Sequence, residues 1–174
     1  MIKIKICGIT RFVDIEYLNK LRPDYAGFIF AKSKRQITMA HASTLIENLR
    51  ADIKKVGVFV DEDPATVLAI AENLKLQVLQ FHGHEDQEYI NKFKEYEIWK
   101  ALKISSITSI SEMKNYNCAK FLLDNCISGS GKSFKWDLIE KKVNDSSIML
   151  AGGLTSENVE RGIMKLAPYG VDVS

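Results

Sequence analysis

The sequence is most informative first for what it has little of. Cysteine is scarce: Cys7, Cys118 and Cys126 make an odd number with no C-x-x-C spacing, which argues against a disulfide framework or a structural zinc site and fits a reducing cytoplasm. Proline occurs only 3 times in 174 residues, and 46% of the chain is hydrophobic, so nothing in the composition points to disorder. Charge of one sign is also lacking. Lys+Arg number 24 against 22 Asp+Glu, a net +2 with a pI near 8.3, too weak a field for a nucleic-acid partner. The N-terminal Met1-Ile2-Lys3-Ile4-Lys5-Ile6 interleaves charged and apolar residues, so it is neither a signal peptide nor a membrane span. No membrane partner is expected.

Nucleotide signatures are missing as well. Cys7-Gly8-Ile9-Thr10-Arg11 carries one glycine where a dinucleotide fold needs G-x-G-x-x-G. Ser128-Gly129-Ser130-Gly131-Lys132-Ser133 ends like a P-loop, but the spacing requires glycine at Cys126. It reads better as a glycine-rich lid over a site. His82 and His84 form an H-x-H without an evident third ligand, so no metal is expected.

Short apolar runs alternate with longer segments of helical period throughout, the pattern of βα units on a parallel sheet. Strands are expected at 2–7, 25–30, 55–60, 77–81, 98–103, 120–124, 147–151 and 170–173. Helices are expected at 13–21, 40–49, 64–74, 87–96, 107–115, 136–142 and 157–166. Periodicity alone permits an open doubly wound sheet or a closed (β/α)8 TIM barrel. The repeat spacing and the missing dinucleotide motif favour the barrel, as a single domain over residues 1–174.

Typical barrels run to about 200 residues or more, and the last expected strand here ends at Val173. The expectation is therefore a C-terminally incomplete barrel lacking its final helix, with the outer faces of the first and last strands uncovered. The native protein is expected to be longer.

The chain is organised around 148–159, where a buried strand runs through Gly152-Gly153 into a helix that Thr155 or Ser156 can cap, with Glu157 in its first turn. Glycines let the backbone approach a ligand closely, and a helix start offers bare N–H groups to an anion. This is the layout of a phosphate cradle. In a barrel the chemistry sits at the C-terminal strand ends, which here deliver Cys7, the Lys32 to Arg35 loop, Asp61, His82, Asp124, Gly152-Gly153, Asp172 and Ser174. A thiol ringed by helix starts can serve as a base near neutral pH. A carboxylate closing the run Phe121-Leu122-Leu123 is costly there unless hydrogen-bonded or reactive.

The ordered set of segments Lys5-Ile6-Cys7-Gly8-Ile9-Thr10, Gly27-Phe28-Ile29-Phe30 with Ser33-Lys34-Arg35, Leu79-Gln80-Phe81-His82-Gly83, Leu122-Leu123-Asp124, Gly129 to Trp136, Ala151-Gly152-Gly153-Leu154 and Val171-Asp172-Val173-Ser174 resembles phosphoribosylanthranilate isomerase of tryptophan biosynthesis. The resemblance spans the whole chain. It implies a cofactor-free Amadori rearrangement of a phosphorylated sugar, with Asp124 as general acid, Cys7 as general base and Arg35 meeting the anthranilate carboxylate. His82 and Gly131 are implied at the substrate, and Gly152, Gly153 and Ser174 at its phosphate. A cytoplasmic monomer or weak homodimer is expected. The alternatives are an aldose isomerase barrel of the histidine-pathway type, for which paired aspartates would be expected, and a non-catalytic phosphate-binding barrel.

Overall fold

The structure is a computed structural model that describes residues 1–104, 107–125, 136 and 147–174. Eight parallel strands follow one another in the order β1 to β8 and close into a barrel. They are β1 (Lys3–Cys7), β2 (Tyr25–Ile29), β3 (Lys54–Phe59), β4 (Val78–Phe81), β5 (Glu97–Ile104), β6 (Lys120–Asn125), β7 (Ile148–Leu150) and β8 (Gly170–Val173). Between them lie α1 (Phe12–Leu21), α2 (Met39–Ile46), α3 (Pro64–Leu74), α4 (Gln87–Ile90) and α5 (Val159–Leu166). By their contacts the residues group into two compact units, 5–98 with Ser174, and 1–4 with 99–173.

In the first unit β1 pairs with β2 through Cys7 and Gly27, and β3 with β4 through Val58 and Gln80. All four residues of β4 and the first four of β2 are buried, as strands covered on both faces should be. A chain of aromatic rings runs from Phe30 to Phe59 (centroids 5.3 Å), Phe81 (6.3 Å) and Phe93 (5.1 Å), with Tyr89 edge-on to Phe81 at 5.4 Å. α3 starts as its sequence specifies: Asp63 accepts from the Thr66 N–H at 3.1 Å and Pro64 fills the first turn. In the second unit Leu123, Ile148 and Leu150 are fully buried and pack with Trp136, Leu166 and Val171.

Several boundaries differ from the sequence reading. The segment 87–96 is helical only to Phe93, and its last turn, Asn91–Phe93, is a 3₁₀-helix. The segment Ile107–Asn115 is 3₁₀ throughout. Its apolar residues Ile107, Ile110 and Met113 recur every third position, the period of that tighter helix. α2 starts at Met39 behind a Thr38 cap and ends at Ile46. The helix expected over 136–142 lies outside the described residues apart from Trp136, as does the 128–133 lid with Gly131. On β1 the charge alternation is inverted relative to burial: Lys5 is fully buried while Ile4 is 43% exposed. Of the apolar strip expected to be uncovered, Ile4 is exposed and Val171 on β8 is buried.

Candidate active site

Cys7 is the last residue of β1, 8% exposed, with its Sγ over the neighbouring strand. Its register partner is Gly27, where a Cβ would fall 2.7 Å from that sulfur. The missing side chain makes the room in which the thiol sits. Gly8 follows with φ +88, a conformation that favours glycine, and its N–H donates to the Gly27 carbonyl at 2.9 Å. That turn brings the Cys7 carbonyl to the guanidinium of Arg35, whose Nη1 donates to it at 3.0 Å. A Cβ at Gly8 would fall 2.6 to 2.9 Å from the Arg35 Nη1, Cδ and Cζ.

Two residues far apart in sequence are thus fixed to one strand end, the Arg35 guanidinium resting on the backbone carbonyl of Cys7. Gly8→Ala meets both the left-handed backbone, a penalty of about 1–2 kcal/mol, and the Arg35 side chain. The expected result is a lowered urea midpoint together with a raised KM, because Arg35 is pushed off its seat.

Burial and sulfur position separate the two described cysteines. Cys118 is half-buried, its Sγ donates to the Lys120 carbonyl at 3.3 Å, and burial pushes its thiol up to about 11. It carries no thiolate near neutral pH, and of these two only Cys7 stands at the C-terminal end of a strand.

The ends of β3 and β4 are joined by a double clasp that the sequence reading did not find. Glu85, 4% exposed, accepts from the Asp61 N–H at 2.8 Å and from the Gly83 N–H at 2.9 Å. Asp61 sits at φ +48, rare for a residue with a side chain. It returns the contact: its carboxylate accepts from the His84 N–H at 2.5 Å and lies 3.0 Å from His84 Nδ1. Tyr89 on α4 adds a third tie by donating to the Glu62 carbonyl at 2.5 Å. Burial, and then the carboxylates of Glu85, Glu62, Asp63 and Asp61, push that phenol up to about 12, so it remains a donor. Within this frame His82 donates its backbone N–H to the Phe59 carbonyl at 2.9 Å, and its Nδ1 lies 3.4 Å from Gln80 Nε2. Among the described residues no group of three or more His, Cys, Asp and Glu could hold a metal ion.

In the second unit Asp124 stands near the end of β6, half-buried, in register with Lys103 on β5. Leu123 pairs with Leu150 and accepts from the Ala151 N–H at 2.9 Å, so Asp124 and the Gly152-Gly153 turn end neighbouring strands. Both glycines are left-handed, at φ +77 and +67. The helix after them begins later than expected. Its first residue is Val159 behind Asn158, which makes no side-chain cap but accepts from the Thr155 N–H at 2.9 Å and donates to the Gly153 carbonyl at 2.9 Å. Thr155 Oγ1 accepts from the Glu157 N–H at 3.3 Å, and Glu157 lies before the helix rather than in its first turn. Asn158 therefore braces the glycine turn instead of capping the helix. Ser174 is exposed directly after β8.

A closed parallel barrel whose strand ends carry a cysteine with its carbonyl held by an arginine, a carboxylate and a braced double-glycine turn belongs to the class of (β/α)8 barrels, whose chemistry sits at those strand ends. Comparison with known proteins narrows the class. The family model of N-(5'-phosphoribosyl)anthranilate (PRA) isomerase matches residues 4–174. The N-(5'-phosphoribosyl)anthranilate isomerase of Thermoanaerobacter sp. (strain X514) is 47% identical over 178 aligned positions, covering 100% of this chain and 88% of that one. The crystal structure of phosphoribosyl anthranilate isomerase from Thermotoga maritima superposes with a TM-score of 0.91 at 35% identity, over 100% and 88% of the two chains. One such isomerase in complex with reduced 1-(o-carboxyphenylamino)-1-deoxyribulose 5-phosphate superposes at 0.88 with 34% identity, over 100% and 87%. The chain belongs to the N-(5'-phosphoribosyl)anthranilate isomerase family.

Proposed function

We propose that this protein isomerises N-(5'-phosphoribosyl)anthranilate to 1-(o-carboxyphenylamino)-1-deoxyribulose 5-phosphate, a step of tryptophan biosynthesis in the cytoplasm. The observation that carries the reading is the seat at the end of β1, where Arg35 donates to the carbonyl of Cys7 in a chain of this family. Asp124 is the general acid. It protonates the ribose ring oxygen as the anilino nitrogen lone pair opens the C1'–O bond, leaving an iminium ion. The cation acidifies the C2' proton, which Cys7 removes as general base, and the resulting enol-amine tautomerises to the ketone. No redox partner is required, because C2' is oxidised as C1' is reduced within one molecule.

The remaining residues bind. Arg35 meets the anthranilate carboxylate by charge-assisted hydrogen bonds, and His82 contacts the sugar side of the substrate. The backbone of Gly152 and Gly153, with Ser174, holds the phosphate. Gly131 belongs to the segment implied to cover the substrate and lies outside the described residues. Among the described residues no helix is long and apolar enough to cross a membrane.

A turnover assay on purified protein, with the labile substrate generated in situ, tests the reading. Consumption of phosphoribosylanthranilate supports it. Binding of the reduced product analogue without turnover would leave a phosphate-binding barrel, and turnover of a histidine-pathway aminoaldose alone would replace the substrate. Arg35→Met is expected to raise KM and to lower kcat, since the lost charge pair also orients the reacting sugar. Unchanged values of both would remove the carboxylate assignment while leaving Cys7 and Asp124 in place.

A further inference from the structure

Gln80 is the one residue of β4 whose chemistry the packing around it does not explain. It is 1% exposed, among strand neighbours Val78, Leu79 and Phe81 that are all fully buried and apolar. Its register partner on β3 is Val58. Among the described residues its Oε1 has no hydrogen-bond partner, while its Nε2 lies 3.4 Å from His82 Nδ1. A leucine or methionine would fill a similar volume without burying an unsatisfied oxygen, a standing cost to stability. His82 follows β4 directly, and the 3.4 Å separation sets the amide beside the imidazole.

The amide presents its NH2 to the ring, with Nε2 3.4 Å from Nδ1 and Oε1 turned away from it. An NH2 can only donate, so in this arrangement Nδ1 is the acceptor.

We infer that Gln80 is a positioning residue: its carboxamide donates to Nδ1 of His82, keeps that nitrogen unprotonated, and so places the proton of the neutral ring on Nε2, which offers an N–H donor to an oxygen of the phosphosugar substrate. The inference rests on the proposed substrate role of His82. An amide suits the task because it is uncharged. A carboxylate in its place would accept from Nδ1–H, reverse the tautomer and favour the imidazolium.

Long-range 1H–15N correlation spectra of the folded protein, in mildly alkaline solution where imidazoles are neutral, read the tautomer directly. The expected result is the Nε2–H form for His82 in the native protein, a mixture in Gln80→Leu, and the Nδ1–H form in Gln80→Glu. An Nδ1–H ring in the native protein overturns the inference, and that measurement requires no variant to fold. Gln80→Leu is also expected to unfold at an equal or higher urea concentration while kcat/KM falls about fivefold or more, the loss of one hydrogen bond's worth of positioning. A purely structural role would lower both together, and that outcome counts against the inference. His82→Phe separates the premise from the inference: unchanged kcat/KM removes the substrate role of His82, whereas the native tautomer judges Gln80 alone.

Discussion

Asp124→Asn and Cys7→Ala are each expected to lower turnover by about 10²-fold or more, the usual contribution of a positioned acid or base. The asparagine keeps the shape and the hydrogen-bonding capacity of Asp124, so the neighbouring Ala151 and the Gly152-Gly153 turn retain their geometry, but it has no acidic proton to give. The alanine removes the sulfur from the space over Gly27 and leaves a gap small enough that stability changes little. Cys118 offers no substitute base, since burial holds its thiol at about 11. Because the proposed mechanism uses the two groups in successive steps, the double variant is expected to fall short of the product of the single losses. Binding of the reduced product analogue, followed by calorimetry, is expected to persist in both. Either variant turning over at near-normal rate would refute the assignment of its residue.

The largest expected effect on stability comes from Phe81. Its ring touches Phe59, Tyr89 and Phe93, joining β3 and β4 to the turn that follows α4, and the side chain is fully buried. Phe81→Ala removes the transfer energy of the ring and leaves a cavity among side chains that have no room to collapse, a loss of about 3–5 kcal/mol. Against a total stability of about 5–15 kcal/mol that is a large fraction. Urea unfolding is expected to show a strongly reduced midpoint at an unchanged slope. Phe81→Leu is expected to recover much of it, and a midpoint within error of the native value for Phe81→Ala would mean that the ring cluster contributes little.

The βα alternation was legible because the strands are short apolar runs and some helices carry a clear start signal, as Asp63-Pro64 does. Boundaries were read less well where side chains turned to other work. Asn158 was taken as part of a helix start and instead braces the glycine turn. The period of three in Ile107, Ile110 and Met113 was in the sequence and was read as the looser α-helical period. Cys7, Asp124, Arg35 and Gly152-Gly153 were singled out by motif, but that Arg35 rests on the Cys7 carbonyl could not be read, since 28 positions separate them and only the pairing of β1 with β2 closes the distance. Glu85 carried no signal at all. A glutamate after Gly83-His84 looks like a solvated loop charge until the fold brings the Asp61 N–H to it. Burial of Lys5 was equally hidden, because the same alternation predicts its face inward or outward with equal force.

The clasp between Asp61 and Glu85 also bears on how this part of the protein is free to vary. Each loop supplies the other's hydrogen-bond acceptor, and a side chain at Gly83 would run into the Asp61 carboxylate. Lengthening the β3 loop would strand the buried Glu85 carboxylate, and lengthening the β4 loop would take from Asp61 its contacts with His84. The two loops are therefore expected to accept insertions only together, and anyone transplanting the β4 loop into another barrel to borrow its histidines must carry the β3 loop with it.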